Sequence, residues 1–194
     1  MNLQPVPLEG RFVALEPLEE RHREEMRAPA NEEEMWRFVP VRGFGPHFDA
    51  LFDRRLRDTR SGEIIAHAVR RRADNVVIGQ TCFLNIEPVH TRVEIGATWY
   101  GADARGGAIN PECKLLLMTR AFAAGARRVE LKTDARNVRS RAAILKMGAK
   151  EEGALRRHTL MWDGHIRDTV YFSVLDDEWP LVRAGLEARL AAYS

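Results

Sequence analysis

Residues 93–115 read VEIGATWYGADARGGAINPECKL, and the local pattern changes twice within them. An alternating, strand-like run ends in a pair of glycines, and a helix is predicted over residues 111–124. Asn110 is a preferred N-cap residue, and Pro111 would then take the first helical position. The first turn of a helix leaves backbone N–H groups unpaired at the positive end of the helix dipole. This stretch therefore predicts a seat for a phosphate or a pyrophosphate.

The glycine pair and its neighbours set the chemistry of that seat. Gly106 and Gly107 allow the backbone to approach a bulky anion, and Arg105 adds a charge-assisted donor beside it. A tight strand-to-helix turn with a good cap explains the same residues, so both interpretations stay open. The stretch is neither a P-loop, because Gly-Lys-Ser/Thr is missing, nor a G-x-G-x-x-G dinucleotide motif.

A second junction of the same kind occupies residues 134–149, DARNVRSRAAILKMGA. Asn137 is the candidate N-cap of a helix over residues 138–147, and Gly148 is its candidate terminator. Three arginines cluster around the start of this helix, where they could attract an anion or simply form a solvated face.

In the rest of the chain, the spacing of the apolar residues predicts strands interspersed with helices. Strands are predicted at residues 11–18, 63–72, 76–87, 91–100, 128–133, 149–161 and 166–175, and further helices at 17–27, 32–38, 47–57 and 177–192. Asp163-Gly164 predicts a tight hairpin between the last two strands. Runs of antiparallel strands combined with strand–helix–strand crossovers indicate an α+β fold with a mixed sheet.

The two junctions in this order, with an apolar helix and a strand between them, resemble the GNAT superfamily of N-acetyltransferases. Residues 128–137, RVELKTDARN, and 167–173, RDTVYFS, are most similar to its ribosomal-protein-alanine (RimJ/RimL-type) branch. The resemblance runs from about Leu8 to Leu175. It implies one N-acetyltransferase domain over residues 1–194, with a mixed, mostly antiparallel sheet that is splayed at the cofactor site and has helices on both faces.

The resemblance also implies acetyl-CoA as co-substrate. Its pantetheine arm would bind along the edge of the strand at Thr98, Trp99 and Tyr100, as an added strand does. Asn137 and Ser140 would lie near the sulfur. The pyrophosphate would bind the backbone amides of Gly106, Gly107, Ala108, Ile109 and Asn110, with Arg105 alongside. The chain departs from the family's Arg/Gln-x-x-Gly-x-Gly/Ala pattern, because Ala108 replaces the expected glycine and Asn110 replaces the small residue, which puts the donor set in question.

The reaction that the resemblance implies is direct acetyl transfer to a primary amine. Ser140 is the candidate proton donor to the leaving thiolate, or an ordinary polar residue of the first helical turn. Glu94 is the candidate general base, or a solvent-facing strand residue. A backbone N–H between Ile95 and Trp99 would stabilise the oxyanion. The alternative bases, each an isolated histidine, are His67, His90 and His158.

Acceptor contacts are expected before residue 61, where Trp36, Phe38 and Phe44 could line an acceptor pocket. Three glutamates, residues 32–34, form either a solvated face or an acidic lip that attracts a cationic amine. The acceptor itself is open between a protein N-terminal α-amine and a small-molecule amine, including an antibiotic. Two other functions remain as alternatives: a non-catalytic acyl-CoA-binding or sensing module, and a nucleotide- or RNA-binding protein.

The composition bears on nucleic-acid binding, membrane insertion and metal binding. With 45% hydrophobic residues, 30% charged residues and a formal net charge of +2, the chain suits a globular protein and requires no nucleic-acid partner. No apolar run reaches membrane-spanning length and no leader pattern is present, so a cytoplasmic location is expected. Cys82 and Cys113 have no metal-site spacing, so no metal is expected. A homodimer stays open.

Overall fold

The computed structural model describes residues 1–193 of the 194-residue chain. Within them there are five α-helices: α1 (Arg23–Ala30), α2 (Phe48–Arg60), α3 (Ile109–Ala123), α4 (Val138–Lys146) and α5 (Trp179–Ala191). The eight strands are β1 (Leu8–Glu9), β2 (Val13–Pro17), β3 (Ile65–Arg71), β4 (Val76–Glu87), β5 (Arg92–Tyr100), β6 (Arg128–Asp134), β7 (Lys150–Leu160) and β8 (Ile166–Leu175). Among residues 1–193, no helix is both long and apolar enough to span a bilayer.

All eight strands form a single sheet in the order β1-β2-β3-β4-β5-β6-β8-β7. Every neighbouring pair is antiparallel except β5 and β6, which run parallel with α3 as their crossover. The predicted α+β fold with a mixed, mostly antiparallel sheet is therefore confirmed.

The parallel pair β5–β6 is short and opens into a V. Its register runs only from Arg92 opposite Arg128 to Glu94 opposite Glu130. Beyond that point β6 stays paired with β8, whereas β5 continues to Tyr100 along β4. The edge of β5 that faces β6 is therefore unpaired after Glu94, which confirms the predicted splay.

Helices cover both faces of the sheet. Each face is apolar because successive strand residues point to opposite faces. Val93, Ile95, Val129 and Leu131 belong to the core shared with α3 and α5. On the opposite face, Ala66, Ala68, Val77 and Cys82 pack with the aromatic and aliphatic side chains of α1 and α2. Since side chains alternate along a strand, each strand in the centre supplies residues to both cores.

The start of α3 differs from the prediction. Ala108 is the N-cap residue and Ile109 the first helical residue, so the predicted cap at Asn110 and first position at Pro111 are wrong. A proline is tolerated anywhere in the first turn, because the amide it lacks would have no partner within the helix. Ile109 is 9% exposed and packs in the core, which favours the earlier start.

The predicted cap and terminator of α4 and the predicted hairpin turn are present. Asn137 caps α4 through its side chain, and Gly148 follows α4 with a φ of +103°. Gly164 has a φ of +85° in the hairpin between β7 and β8, as the Asp163-Gly164 pair predicts. The two short helices predicted near the N-terminus begin later: α1 starts at Arg23, and residues Glu33–Trp36 form one 3-10 turn.

Candidate active site

A cleft of about 520 Å³ opens where β5 separates from β6. Its walls come mainly from β5, β6, the starts of α3 and α4 and the segment before α2, and β8 and α5 each add one arginine, Arg167 and Arg189. Of the predicted site residues, the cleft is lined by Glu94, Thr98, Trp99, Tyr100, Arg105, Gly106, Gly107, Asn110, Asn137 and Ser140. Ala108 and Ile109 do not line it, because their side chains are buried beneath the turn.

The glycine turn presents unoccupied backbone donors to the cleft. Within residues 1–193, the amides of Gly106, Gly107 and Ala108 donate no backbone hydrogen bond, and Ala108 caps α3 with no side-chain contact. Gly106 has a φ of +88°, which favours glycine, and a β-carbon added at Gly106 or Gly107 would meet no protein atom within 4 Å. Open space, free amides and a helix start are features that favour the binding of an anion.

Arg105 stands beside this turn, but its guanidinium already has partners. Its Nη1 and Nη2 donate to the two carboxylate oxygens of Glu32 at 3.0 and 2.6 Å, and its Nε donates to the carbonyl of Tyr100 at 2.9 Å. Each terminal nitrogen keeps one further N–H for a ligand. Glu32, for which the sequence left open a solvated face or an acidic lip, is therefore the counterion of the arginine beside the turn.

Asn137 and Ser140 lie at the second helix start, but only one of their side chains is free to form a hydrogen bond with a ligand. The Asn137 side-chain oxygen accepts from the backbone amide of Ser140 at 3.0 Å, so it is engaged in the cap of α4. The Ser140 hydroxyl makes no hydrogen bond within residues 1–193 and lies in the cleft wall.

Asn110, although not a cap, has a defined role at the cleft. Its side-chain oxygen accepts from the Tyr100 hydroxyl at 3.3 Å, which links the end of β5 to the first turn of α3. Burial raises the pKa of Tyr100 well above its usual value, so this hydroxyl stays protonated at neutral pH and donates the hydrogen bond to Asn110. Trp99 points to the opposite face, where its ring packs against Trp36 at 5.6 Å.

A buried lysine, which sequence reasoning missed, lies deeper in the cleft. Lys114 of α3 is 5% exposed, and its Nζ donates at 2.9 Å to the Thr98 hydroxyl, which contacts the Thr81 hydroxyl at 2.8 Å. Burial lowers the pKa of Lys114 to about 8. Its spacing of four residues from Asn110 was the available signal, because residues i and i+4 share one helix face.

Glu94 is buried, with 2% exposure, so the alternative of a solvent-facing residue is wrong. Its Oε2 forms an ion pair with Lys132 Nζ at 2.8 Å and accepts from Asn85 Nδ2 at 2.6 Å. A β-carbon on Gly96 would come within 2.7 Å of its Oε1. Just beyond Gly96 the pairing of β5 with β4 is irregular, and Ala97 has a φ of +48°. Glycine at position 96 thus leaves room for a carboxylate at the cleft wall.

Of the three aromatic residues predicted to line an acceptor pocket, one lies in the wall of the cleft. Phe38 lines the cleft, as predicted, together with Met35, Val39, Pro40 and Val41. Trp36 does not, because its side chain is 1% exposed in the core beneath α1 and α2. Phe44 also lies outside the cleft lining, and its ring packs against Trp162.

None of the alternative bases is placed at the cleft wall. His67 is buried on β3, its Nε2 lies 3.3 Å from the carbonyl of Val6, and burial lowers its pKa to about 4. His158 contacts the Thr169 hydroxyl at 3.1 Å, and His90 is exposed. Of the titratable groups nominated from sequence, only Glu94 faces the splay.

Both cysteines are free and buried, and neither lines the cleft. Burial raises the pKa of Cys82 to about 11 and that of Cys113 to about 12, so both thiols are protonated at neutral pH. Within residues 1–193, no cluster of three or more His, Cys, Asp or Glu side chains could hold a metal ion.

The sequence profile of the acetyltransferase (GNAT) domain matches residues 13–150. The chain belongs to this family. Those residues include the splayed strands, the glycine turn and both helix starts, so the GNAT match covers most of the elements that form the cleft. The family's reaction is acetyl transfer.

Solved structures agree with the GNAT assignment. A T. thermophilus protein provisionally named an acetyltransferase is 36% identical, with a TM-score of 0.87, over 98% of this chain and 100% of that one. A GCN5-related N-acetyltransferase from Brucella melitensis is 30% identical, with a TM-score of 0.87, over 97% and 87%. RimJ from Mycobacterium smegmatis, solved with CoA-disulfide, is 22% identical, with a TM-score of 0.79, over 94% and 92%, and this likeness concerns the fold alone. No curated protein is significantly similar to the chain in sequence.

Proposed function

We propose that this GNAT chain transfers an acetyl group from acetyl-CoA to a primary amine by direct attack. The observation that carries the proposal is the cleft itself. An unpaired strand edge leads to a glycine turn with free amides, and a buried carboxylate lies at the opposite end, where β5 and β6 part.

Acetyl-CoA would be bound by backbone groups for most of its length. Its pyrophosphate would accept from the amides of Gly106, Gly107 and Ala108, with the remaining N–H groups of Arg105 beside it. Its pantetheine amides would pair with the β5 edge from Thr98 to Tyr100, because β6 no longer occupies that edge.

Glu94 is the residue we assign to proton removal from the attacking amine. Its Oε1 makes no hydrogen bond within residues 1–193, whereas Oε2 is held by Lys132 and Asn85. A carboxylate fixed through one oxygen leaves the other oriented for proton transfer. The oxyanion would be stabilised by a backbone N–H between Ile95 and Trp99.

Ser140 is assigned to the leaving thiolate. Its hydroxyl is free in the cleft wall, and its position in the first turn of α4 adds the positive end of a helix dipole. A cysteine acyl intermediate is disfavoured, because both thiols are buried and protonated outside the cleft lining.

The acceptor in this proposal is a protein N-terminal α-amine or a small-molecule amine. A member of the ribosomal-protein-alanine branch would use the former, and the sequence similarity to that branch is the support for it.

The test combines binding with turnover. Acetyl-CoA affinity would be measured by calorimetry, and release of free CoA thiol would be followed with a panel of peptides, polyamines and amino compounds. Glu94→Gln should lower kcat about 100-fold while leaving acetyl-CoA affinity unchanged, because it removes a base and keeps the shape. Glu87→Gln, on the neighbouring strand and outside the cleft, is the matched control.

Two results would contradict the proposal. Tight acetyl-CoA binding with no thiol release for any amine would favour the non-catalytic acyl-CoA-binding module. Acetyl-CoA binding no tighter than that of AMP would contradict both functions.

A further inference from the structure

Arg167, at the start of β8, is a buried cation in the wall of the cleft. It is 5% exposed, its Nε donates to the Thr169 hydroxyl at 2.9 Å, and its Nη1 donates to the backbone carbonyl of Phe38 at 3.3 Å. Both acceptors are neutral. Its Nη2 makes no hydrogen bond within residues 1–193.

The nearby carboxylates do not neutralise this guanidinium. Asp134 and Glu94 are the carboxylates close enough to influence it. Asp134 is paired with Arg136 at 2.9 Å, and Glu94 is paired with Lys132 at 2.8 Å. Among residues 1–193, no carboxylate lies within 4.0 Å of Arg167, although most arginines of this chain have such a partner.

A buried charge without a counterion is costly, and burial accordingly lowers the pKa of Arg167. A ligand anion would supply the missing counterion, and the planar guanidinium suits a carboxylate held through two parallel hydrogen bonds. The unused Nη2 is available for such a contact.

The position of Arg167 separates it from the cofactor's phosphates. The glycine turn leads into α3, on the sheet face that packs against α3 and α5. Alternation along β8 places Val170 and Phe172 on that face and Arg167 on the other. By the same alternation, Glu94 and Lys132 lie on the face of Arg167, and Phe38 of the covering segment contacts it there.

We infer that the acceptor is an amine that also carries a carboxylate, and that Arg167 binds this carboxylate while the amine faces Glu94. The inference rests on the proposed function and narrows its acceptor to small amino-carboxylate compounds, such as free amino acids. A peptide N-terminus or a polyamine offers the amine without the nearby anion, so neither satisfies Arg167.

The test uses matched pairs of acceptors with the full-length enzyme and acetyl-CoA. Each pair is an amino carboxylate and its carboxamide: glycine with glycinamide, leucine with leucinamide, and β-alanine with its amide. The rates are compared per unprotonated amine, because the carboxylate raises the pKa of its neighbouring amine. We expect the wild type to favour the best carboxylate over its carboxamide by about 30-fold or more in kcat/KM.

Arg167→Gln should remove that preference. The ratio should fall below about 3-fold, because the carboxylate loses its counterion and its rate falls much further than that of the carboxamide. Arg167→Lys keeps a cation that can still reach Phe38 and should retain a preference of about 5-fold. If the glutamine variant fails to fold, the lysine variant still tests whether Arg167 binds the carboxylate.

Three outcomes would overturn the inference. One is a wild type that acetylates carboxamides or neutral peptides as well as carboxylates. Another is a glutamine variant that slows both members of each pair by the same factor, since Arg167 would then only hold the Phe38 segment. The third is a lysine variant with no preference while the wild type has one. Absence of thiol release with every amine would instead show failure of the proposed function itself.

Discussion

Two strand-to-helix junctions face each other across the cleft, and they treat their helix starts in opposite ways. Between β6 and α4, the Asn137 side chain accepts from the backbone amide of Ser140, so the helix satisfies part of its own first turn. Between β5 and α3, Ala108 offers no side-chain acceptor, and the amides from Gly106 to Ala108 stay without partners within residues 1–193.

This difference indicates which junction can take an external anion. Both helices have the same dipole and the same unpaired amides in principle. At α4, a side chain of the chain itself occupies that position, whereas at α3 the space above the glycines is open. We therefore expect the two junctions to respond differently to substitution: α3 through ligand affinity and α4 through stability.

The largest expected effect comes from filling the open junction. Gly107→Val should weaken acetyl-CoA binding about 50-fold, because its side chain would occupy the space over the free amides and meets no protein atom that would force the fold to change. Calorimetric titration measures the affinity, and thermal melting monitors the fold.

Gly185→Val is the matched control for this substitution. Gly185 lies in α5 and does not line the cleft, and a β-carbon there also meets nothing within 4 Å. Its affinity for acetyl-CoA should stay at the wild-type value. Equal affinities for Gly107→Val and the wild type, with the fold intact, would rule out the pyrophosphate seat at α3.

A smaller effect is expected from the ion pair beside the open junction. Arg105→Ala should weaken acetyl-CoA binding about 10-fold, since it removes a charged donor next to the phosphates. Glu32→Gln should strengthen it about 3-fold, because Glu32 competes for the same guanidinium at 2.6 Å. Raising the salt concentration should reduce both differences.

Glu33→Gln serves as the control for the Glu32 variant, because Glu33 is exposed and forms no ion pair within residues 1–193. A similar gain in affinity for both variants would mean that Glu32 acts only through net charge. Weaker binding by Glu32→Gln would instead mean that Glu32 positions Arg105.

The smallest effect on the ligand is expected at the capped junction. Asn137→Ala should destabilise the protein by about 1 kcal/mol, because the Ser140 amide loses its acceptor, with acetyl-CoA affinity changed less than about 2-fold. Chemical denaturation measures the stability. Asn137→Asp keeps a capping oxygen and should restore it. A large loss of affinity in Asn137→Ala at full stability would show that Asn137 binds the cofactor, and the contrast between the junctions would fail.

Sequence reasoning succeeded where one residue and its near neighbours contain the cause. Asn137 caps α4 because its acceptor lies three residues away in the chain, and Gly164 marks a turn because its own φ is positive. It failed at Asn110, which has the same capping chemistry. There the helix start is set by burial of Ile109 in the core, and the asparagine accepts instead from Tyr100.

The catalytic side of the cleft shows the same division. Glu94 could be nominated from its place before Gly96, but its burial and its partners depend on the sheet, which brings Asn85 of β4 and Lys132 of β6 to its carboxylate. In the sequence, Lys114 was marked only by its spacing of four residues from Asn110, and Arg167 only as one residue of the stretch 167–173. Their importance comes from being buried in a shared cleft, and burial is a property of the packed sheet.

The sequence by itself determined the alternating strands, the helices between them, the glycine turn and the cap of α4, because these depend on steric and hydrogen-bonding preferences within a few residues. Only the tertiary structure decided that β5 parts from β6 after Glu94 and that one helix start stays open. It also decided which charges meet: Glu32 pairs with Arg105, and Arg167 is left without a carboxylate. Glu32 and Arg105 are far apart in the sequence, so the energy of their ion pair exists only once the fold brings the two side chains together.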